Sequence, residues 1–276
     1  MTSKCRPTIV LIQFLIVFFF SFLTAQTIST TAPTPELWLV QFEKVDAGMT
    51  TQYEEKTRVW REALLHAKAG AEWTYYLSGI RNFTYMMAIP QKSFAALDQK
   101  GERATQLKDS ARSSNIDQLQ KEKDTTISTR RSEVWRFRED LTYRPKGVSQ
   151  LVPGYQRMTV EWIKPGKLEK YFQTSKQTRA ALAKVNYSLG YMAFSVVYGD
   201  GSIVYLWEAD TAERFYKDYN IGPALIQALG SENATKLYMD WLDCVTKVDY
   251  IEGYPRTDLS YTPEPAPPWL SHFAVR

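Results

Sequence analysis

The octapeptide Arg138-Glu139-Asp140-Leu141-Thr142-Tyr143-Arg144-Pro145 returns 118 residues later as Arg256-Thr257-Asp258-Leu259-Ser260-Tyr261-Thr262-Pro263. A single match of this kind arises by chance. The same displacement, however, also lays Glu43 on Glu161, Gly48 on Gly166, Tyr53 on Tyr171, Arg61 on Arg179 and Leu64 on Leu182. Two distant stretches that agree on one offset point to a chain that contains itself twice.

The patterns around these residues superpose as well as the letters. Leu39–Lys44 and Arg157–Trp162 both alternate, with Val40 and Phe42, or Met158 and Val160, on one face. Gln41 and Glu43, or Thr159 and Glu161, occupy the other, and a period of two predicts a strand. A glycine turn follows each, Asp46-Ala47-Gly48 or Lys164-Pro165-Gly166, and then an apolar stripe at helical spacing. That stripe is Tyr53, Trp60, Leu64 and Ala67 in the first copy and Tyr171, Thr178, Leu182 and Val185 in the second. Aromatic strands come next, Glu72–Leu77 and Gly190–Ser195, each turning into a partner, Phe83–Ile89 and Ile203–Ala209, to close a hairpin. The Gly199-Asp200-Gly201 turn is two residues longer than its counterpart, so beyond it Tyr85 matches Tyr205. A second helical region, about 92–128 and 211–246, and a last strand lead into the repeated octapeptide. The order strand, helix, strand, strand, helix, strand is the split βαβ arrangement of the ferredoxin-like fold.

Outside this unit the chain begins with Lys4 and Arg6, an apolar run from Ile9 to Leu23 and the small-residue end Thr24-Ala25. That is the form of a secretory signal, whose removal would leave the mature protein in the periplasm or outside the cell; the alternative is that the run is kept as an anchor. The predicted organisation is a signal at 1–25, a linker at 26–35, one repeat at 36–146, a linker at 147–154, a second repeat at 155–263 and a proline-rich tail at 264–276. Taking Lys4 and Arg6 from 34 Lys plus Arg leaves 32 against 30 Asp plus Glu. With no basic cluster interleaved with aromatics, this near-neutral chain does not resemble a nucleic-acid binder. Of two cysteines only Cys244 lies beyond the signal, so an internal disulfide is excluded, and with two histidines a Cys/His metal site is out of reach. No GxSxG, HExxH, Walker or dinucleotide-binding motif occurs. No cofactor, no metal and no membrane span after signal removal are expected, and a monomer is the simplest state.

The repeated strand with its glycine turn, the Tyr53/Tyr171 helix and the aromatic hairpin together resemble the dimeric α/β-barrel superfamily, which includes antibiotic-biosynthesis-monooxygenase-like and NIPSNAP-like domains. The resemblance implies an α+β protein of two ferredoxin-like βαββαβ repeats that form a dimeric α/β-barrel within one chain. It also implies a pocket between each sheet and its helices, used by relatives for cofactor-independent oxygenation, for isomerisation or for haem. An axial haem ligand would have to be a pocket-facing histidine, whereas helical spacing turns His66 away from the apolar stripe.

Two functional readings stay open on the residues. One is an exported protein that binds a small apolar or aromatic ligand, or serves as an interaction module. The other is a cofactor-independent monooxygenase or isomerase acting on an aromatic, quinol-type substrate, with Glu43 or Glu161 as proton acceptor. Tyr53, Trp73, Tyr85, Tyr171, Tyr191 and Tyr205 are the candidate pocket residues. Arg138 with Asp140 and Arg256 with Asp258, at matching places after each last strand, are expected to act as structural clamps between the copies. A cavity with a buried carboxylate and converging tyrosine hydroxyls would favour the enzyme, and a sheet interface filled by side chains the interaction module.

Overall fold

Alternation of apolar and polar residues turns one face of each strand inward, and eight such strands close on themselves. The computed structural model describes residues 35–98, 116–146 and 154–263. The strands are β1 (Leu37–Val45), β2 (Tyr76–Ile80), β3 (Thr84–Gln91), β4 (Ile127–Phe137), β5 (Tyr155–Ile163), β6 (Tyr191–Tyr198), β7 (Ile203–Ala209) and β8 (Val245–Pro255). The helices among the described residues are α1 (Thr50–Ala67), α2 (Ala95–Asp98), α3 (Ile116–Asp124), α4 (Leu168–Lys184), α5 (Ala212–Asp218), α6 (Gly222–Leu229) and α7 (Ser231–Cys244). The signal, both linkers up to Pro153, the tail with Trp269 and His272, and residues 99–115 lie outside the described residues.

The expected fold class, two ferredoxin-like βαββαβ repeats whose separate sheets pair into a dimeric α/β-barrel within one chain, is corrected by the strand order. All eight strands form one closed antiparallel barrel, β1-β3-β2-β8-β5-β7-β6-β4. Pairing of β4 with β6 at Val134–Phe137 and of β2 with β8 at Ser78–Ile80 leaves no four-stranded sheet with edges of its own. The physical reason is the cost of an edge. An open four-stranded sheet presents unpaired N–H and C=O groups on two flanks, and closure pairs part of each flank with the facing strand.

Inside the barrel the inward set meets: Trp38, Val40, Phe42, Met86, Trp135, Met158, Val160, Phe194, Val204 and Leu206 pack as one cluster. A gap of about 60 Å³ remains beside Trp38, Tyr76, Gln156 and Glu208. The barrel interior is a filled core, so ligand-sized space must be sought on its outer face. There α1 lays Tyr53, Thr57, Trp60 and Leu64 on the strands of the first half, and α4 lays Tyr171, Thr174, Ala181 and Leu182 on those of the second. α1 stops where Lys68 turns left-handed (φ 50°) and returns its N–H to Leu64 and Leu65.

Two local differences from the sequence reading matter for the site. The strand expected from Glu72 begins only at Tyr76, because Ala71–Trp73 form a 3₁₀ turn that carries Trp73 along the barrel wall. The ladders slip by one residue after Lys44 in β1 and after Trp162 in β5, each just past a glutamate. Such bulges re-aim the neighbouring side chains.

Candidate functional site

Glu43 and Glu161 sit at matching places in β1 and β5, on the outward faces of strands whose inward faces are core. Both are almost fully buried, at 1% and 7% exposure. Each receives a hydrogen bond from the tyrosine one turn into the following helix. Tyr53 Oη donates to Glu43 Oε2 at 2.6 Å and Tyr171 Oη to Glu161 Oε2 at 2.7 Å. The repeated letters thus build the same carboxylate–tyrosine pair twice.

Their electrostatics then diverge. In the first half, Lys123 Nζ from α3 lies 2.7 Å from Glu43 Oε2, and Arg130 of β4 grips Oε1 with Nε at 3.0 Å and Nη2 at 2.8 Å. Burial pushes the Glu43 carboxyl up, but Lys123, Tyr53 and Arg130 together hold it below its ordinary value. This carboxylate is a locked ion. In the second half no cation reaches Glu161. Its further partner is Trp241 of α7, whose Nε1 donates to the same Oε2 at 2.9 Å, leaving Oε1 without a hydrogen bond. Burial pushes this carboxyl above its ordinary value, and the bonds from Trp241 and Tyr171 offset only part of the rise.

The surroundings differ in the same sense. Beside Glu161 lies a half-open cavity of about 430 Å³ between the barrel and helices α4, α6 and α7. Its wall is aromatic (Tyr191, Tyr205, Trp207, Tyr219, Tyr238, Trp241, Tyr250), with Leu182, Leu225 and Leu237, and it contains no Lys, Arg or His. Tyr205 Oη lies 2.8 Å from Tyr171 Oη and 3.1 Å from Ser175 Oγ, so a file of hydroxyls runs back from the carboxyl under α4. Burial raises Tyr171, Tyr191 and Tyr205 alike, which keeps their hydroxyls neutral and donating. The first-half cavity, about 320 Å³, is lined by Glu43, Trp60, Trp73, Tyr75, Lys123 and Arg130 among others. It is the more charged of the two.

Of the pocket residues named from sequence, Tyr191 and Tyr205 line the larger cavity and Trp73 the smaller. Tyr53 and Tyr171 stand behind the walls as donors to the glutamates. The expected match of Tyr85 to Tyr205 is corrected by the ladders, in which Tyr85 lies opposite Glu43 but Ile203, not Tyr205, lies opposite Glu161; Tyr85, its ring 4.3 Å from that of Tyr53, donates to Glu54 at 2.6 Å. Arg138 forms two bonds to Asp140 and rests 4.0 Å over Phe172 of α4. Arg256 pairs with Asp258 and, across to α1, with Glu54. Lys123, Arg130, Trp241 and Tyr219 were missed. The offset could have exposed the first three, since it carries Lys123 onto Trp241 and Arg130 onto Val248.

Neither cavity fits a haem. The described histidine, His66, is exposed on α1 and lines neither, and the larger cavity offers no His, Cys or Met ligand and no basic group for the macrocycle's carboxylates. Among the described residues no three His, Cys, Asp or Glu gather as a metal site, and no helix is long and apolar enough to cross a membrane.

An eight-stranded antiparallel barrel with helices outside and a buried carboxyl under them defines the class of fold. Solved structures resemble this barrel. A candidate monooxygenase from Fusobacterium nucleatum superposes with a TM-score of 0.50 at 10% identity, over 79% of this chain and 91% of its own. An anthrone oxidase-like protein gives 0.50 at 12% identity, over 82% and 93%. A chlorite dismutase mutant from Candidatus Nitrospira defluvii gives 0.49 at 8%, over 90% and 98%. At such identities the likeness is one of fold. No protein-family model matches the chain, and no curated protein matches it.

Proposed function

We propose that the second-half cavity binds a small, largely aromatic molecule that shares a proton with Glu161. One observation carries this reading: a buried carboxyl with no cation partner and with one free oxygen borders an aromatic cavity large enough for a bicyclic or tricyclic ligand. A carboxyl raised in this way is a stronger base once ionised, and it takes up a ligand proton more readily than a surface glutamate. Glu43, held by two cations, has no such capacity and serves the first half as structure.

A second reading adds oxidation. The descriptions of two fold neighbours, a candidate monooxygenase and an anthrone oxidase-like protein, favour oxygenation, and we take dioxygen as the oxidant with no cofactor. Glu161 would take one proton from the substrate's activated methylene or hydroxyl. For a methylene the balance is one CH₂ plus O₂ giving one C=O plus H₂O, with one oxygen atom entering the product and the other leaving as water. The test is oxygen uptake with anthrone as probe. Glu161→Gln should fold, abolish any turnover and weaken binding, while Glu43→Gln should lose stability instead. Binding of anthrone unchanged by Glu161→Gln would remove the carboxyl from the site.

The apolar segment Ile9–Leu23 supports export with removal of the signal after Ala25, checked by N-terminal sequencing of the secreted chain. The ion pairs of Arg138 and Arg256 support their role as clamps, since each octapeptide reaches elements of the opposite half. Arg138 N–H bonds Ala193 O and Arg256 N–H bonds Leu77 O.

A further inference from the structure

The first half shows what its cage of residues is made to hold. Lys123 Nζ lies against Glu43 at 2.7 Å and over two rings, 5.3 Å from the Tyr53 centroid and 5.8 Å from that of Trp60. A carboxylate and aromatic faces around one alkylammonium combine an ion pair with cation–π attraction in a desolvated place. The side chain is wholly buried, so the chain itself supplies the ammonium there.

In the second half the carboxylate and its tyrosine are kept and both cations are gone. Lys123 corresponds to Trp241 and Arg130 to Val248 at the 118-residue offset, and the ladders agree, since Glu43 pairs with Arg130 as Glu161 pairs with Val248. Trp241 Nε1 takes the place of Lys123 Nζ at the glutamate Oε2 but brings no charge. Arg157 is sandwiched 4.3 Å from the Tyr219 ring and 4.1 Å from that of Tyr250, and it is not among the residues that line the cavity. An anionic ligand would therefore meet a carboxylate and no basic side chain on the wall. A neutral ligand would leave Glu161 unpaired or force it to stay protonated.

Resting on the reading of this cavity as the ligand site, we infer that its ligand is an organic ammonium with an aromatic or apolar body. The charged nitrogen meets Glu161 Oε1, completing in trans the pair that Lys123 completes in cis in the other half. The body lies on Tyr191, Trp207, Tyr219 and Tyr250. Burial that raises the Glu161 carboxyl in the free protein is relieved when such a cation arrives.

The test compares three probes of one shape on the full chain: phenethylammonium, 2-phenylethanol and 3-phenylpropionate. Binding is read by calorimetry and tryptophan fluorescence at about pH 8, where an alkylammonium is still charged. The ammonium should bind about ten-fold or more tightly than the alcohol, and the carboxylate more weakly than either. Glu161→Gln, isosteric and without a charge to bury, should erase the gap between ammonium and alcohol. Trp241→Lys, which gives the second half its own amine, should abolish ammonium binding while near-ultraviolet circular dichroism stays native. Should that variant not fold, Glu161→Gln decides alone. Equal binding of ammonium and alcohol, unaltered by Glu161→Gln, would overturn the inference yet leave an aromatic-ligand site standing. Failure of all three probes to bind overturns the inference together with the reading beneath it.

Discussion

Replacing Lys123 by methionine removes the ammonium from the most buried ion pair described in the molecule while keeping most of the side chain's bulk. Both partners are at most 1% exposed, so the pair is sheltered from solvent screening. Losing one partner of a buried pair costs about 3–5 kcal/mol, because the other charge is left behind. Arg130 still holds Glu43 Oε1 with two bonds, which places this case at the lower end, about 3 kcal/mol. For a domain of this size that is a fall in Tm of roughly 6–12 °C. Urea unfolding at neutral pH measures it. The pH dependence supplies the sign. Glu43 is held below its ordinary value of 4.5, so its stabilisation is present above that pH and is lost as pH falls through its folded pKa. The deficit of Lys123→Met should therefore be largest at neutral pH and shrink below about pH 4.5, where a carboxyl freed of Lys123 protonates. Adding Glu43→Gln should recover most of the loss. A single-variant deficit under about 1 kcal/mol at pH 7, or one that does not vary with pH, would refute the account of Glu43 as a locked ion.

Glu161→Gln should stabilise the protein above about pH 5, because a carboxyl raised by burial contributes stability that is lost as pH rises, and the gap to wild type should close below pH 4.5; chemical denaturation across pH reads it. Glu208, which burial pushes up to about 7 and which accepts from Gln156 at 2.9 Å, should produce a second loss of stability as pH rises through 7, of order 2–3 kcal/mol, absent from Glu208→Gln. Arg256→Ala should cost about 2 kcal/mol in urea midpoint measurements, more than Arg138→Ala, because Glu54 loses its partner as well as Asp258. Gly253→Ala should destabilise by about 1–3 kcal/mol, since a Cβ there would meet Gly79 O at 2.8 Å in the short β2–β8 seam; a native-like melting point would show that the seam yields.

Much of this was legible from letters alone. Alternation in Leu39–Lys44 and Arg157–Trp162 placed both glutamates on the face opposite the apolar set, and helical spacing placed Tyr53 and Tyr171 on the packed stripes of the following helices, because those periods follow from backbone geometry. The strand pairings that close the barrel were not legible. Which strands meet across the seams depends on register between segments far apart in the chain, and Ser78–Ile80 carries no mark of its partner Gly253–Pro255. The unequal fate of the two carboxyls was also hidden. It turns on Lys123 and Trp241, which stand in helices whose apolar patterns do not match, so the correspondence at the shared offset went unused. Tyr85 misled for a related reason. Its match to Tyr205 fails in register, since Glu43 pairs with Tyr85 whereas Glu161 pairs with Ile203 and Tyr205 lies opposite Thr159, and Glu54 in place of Phe172 draws the Tyr85 hydroxyl outward.

Two carboxylates with the same strand position and the same tyrosine, one sealed by a lysine of the chain and one not, make the molecule its own reference. Salt, temperature or an added solute alters the bulk medium for both at once. The difference between their carbon-13 carboxyl signals in one sample therefore cancels what is common and reports only what enters beside Glu161.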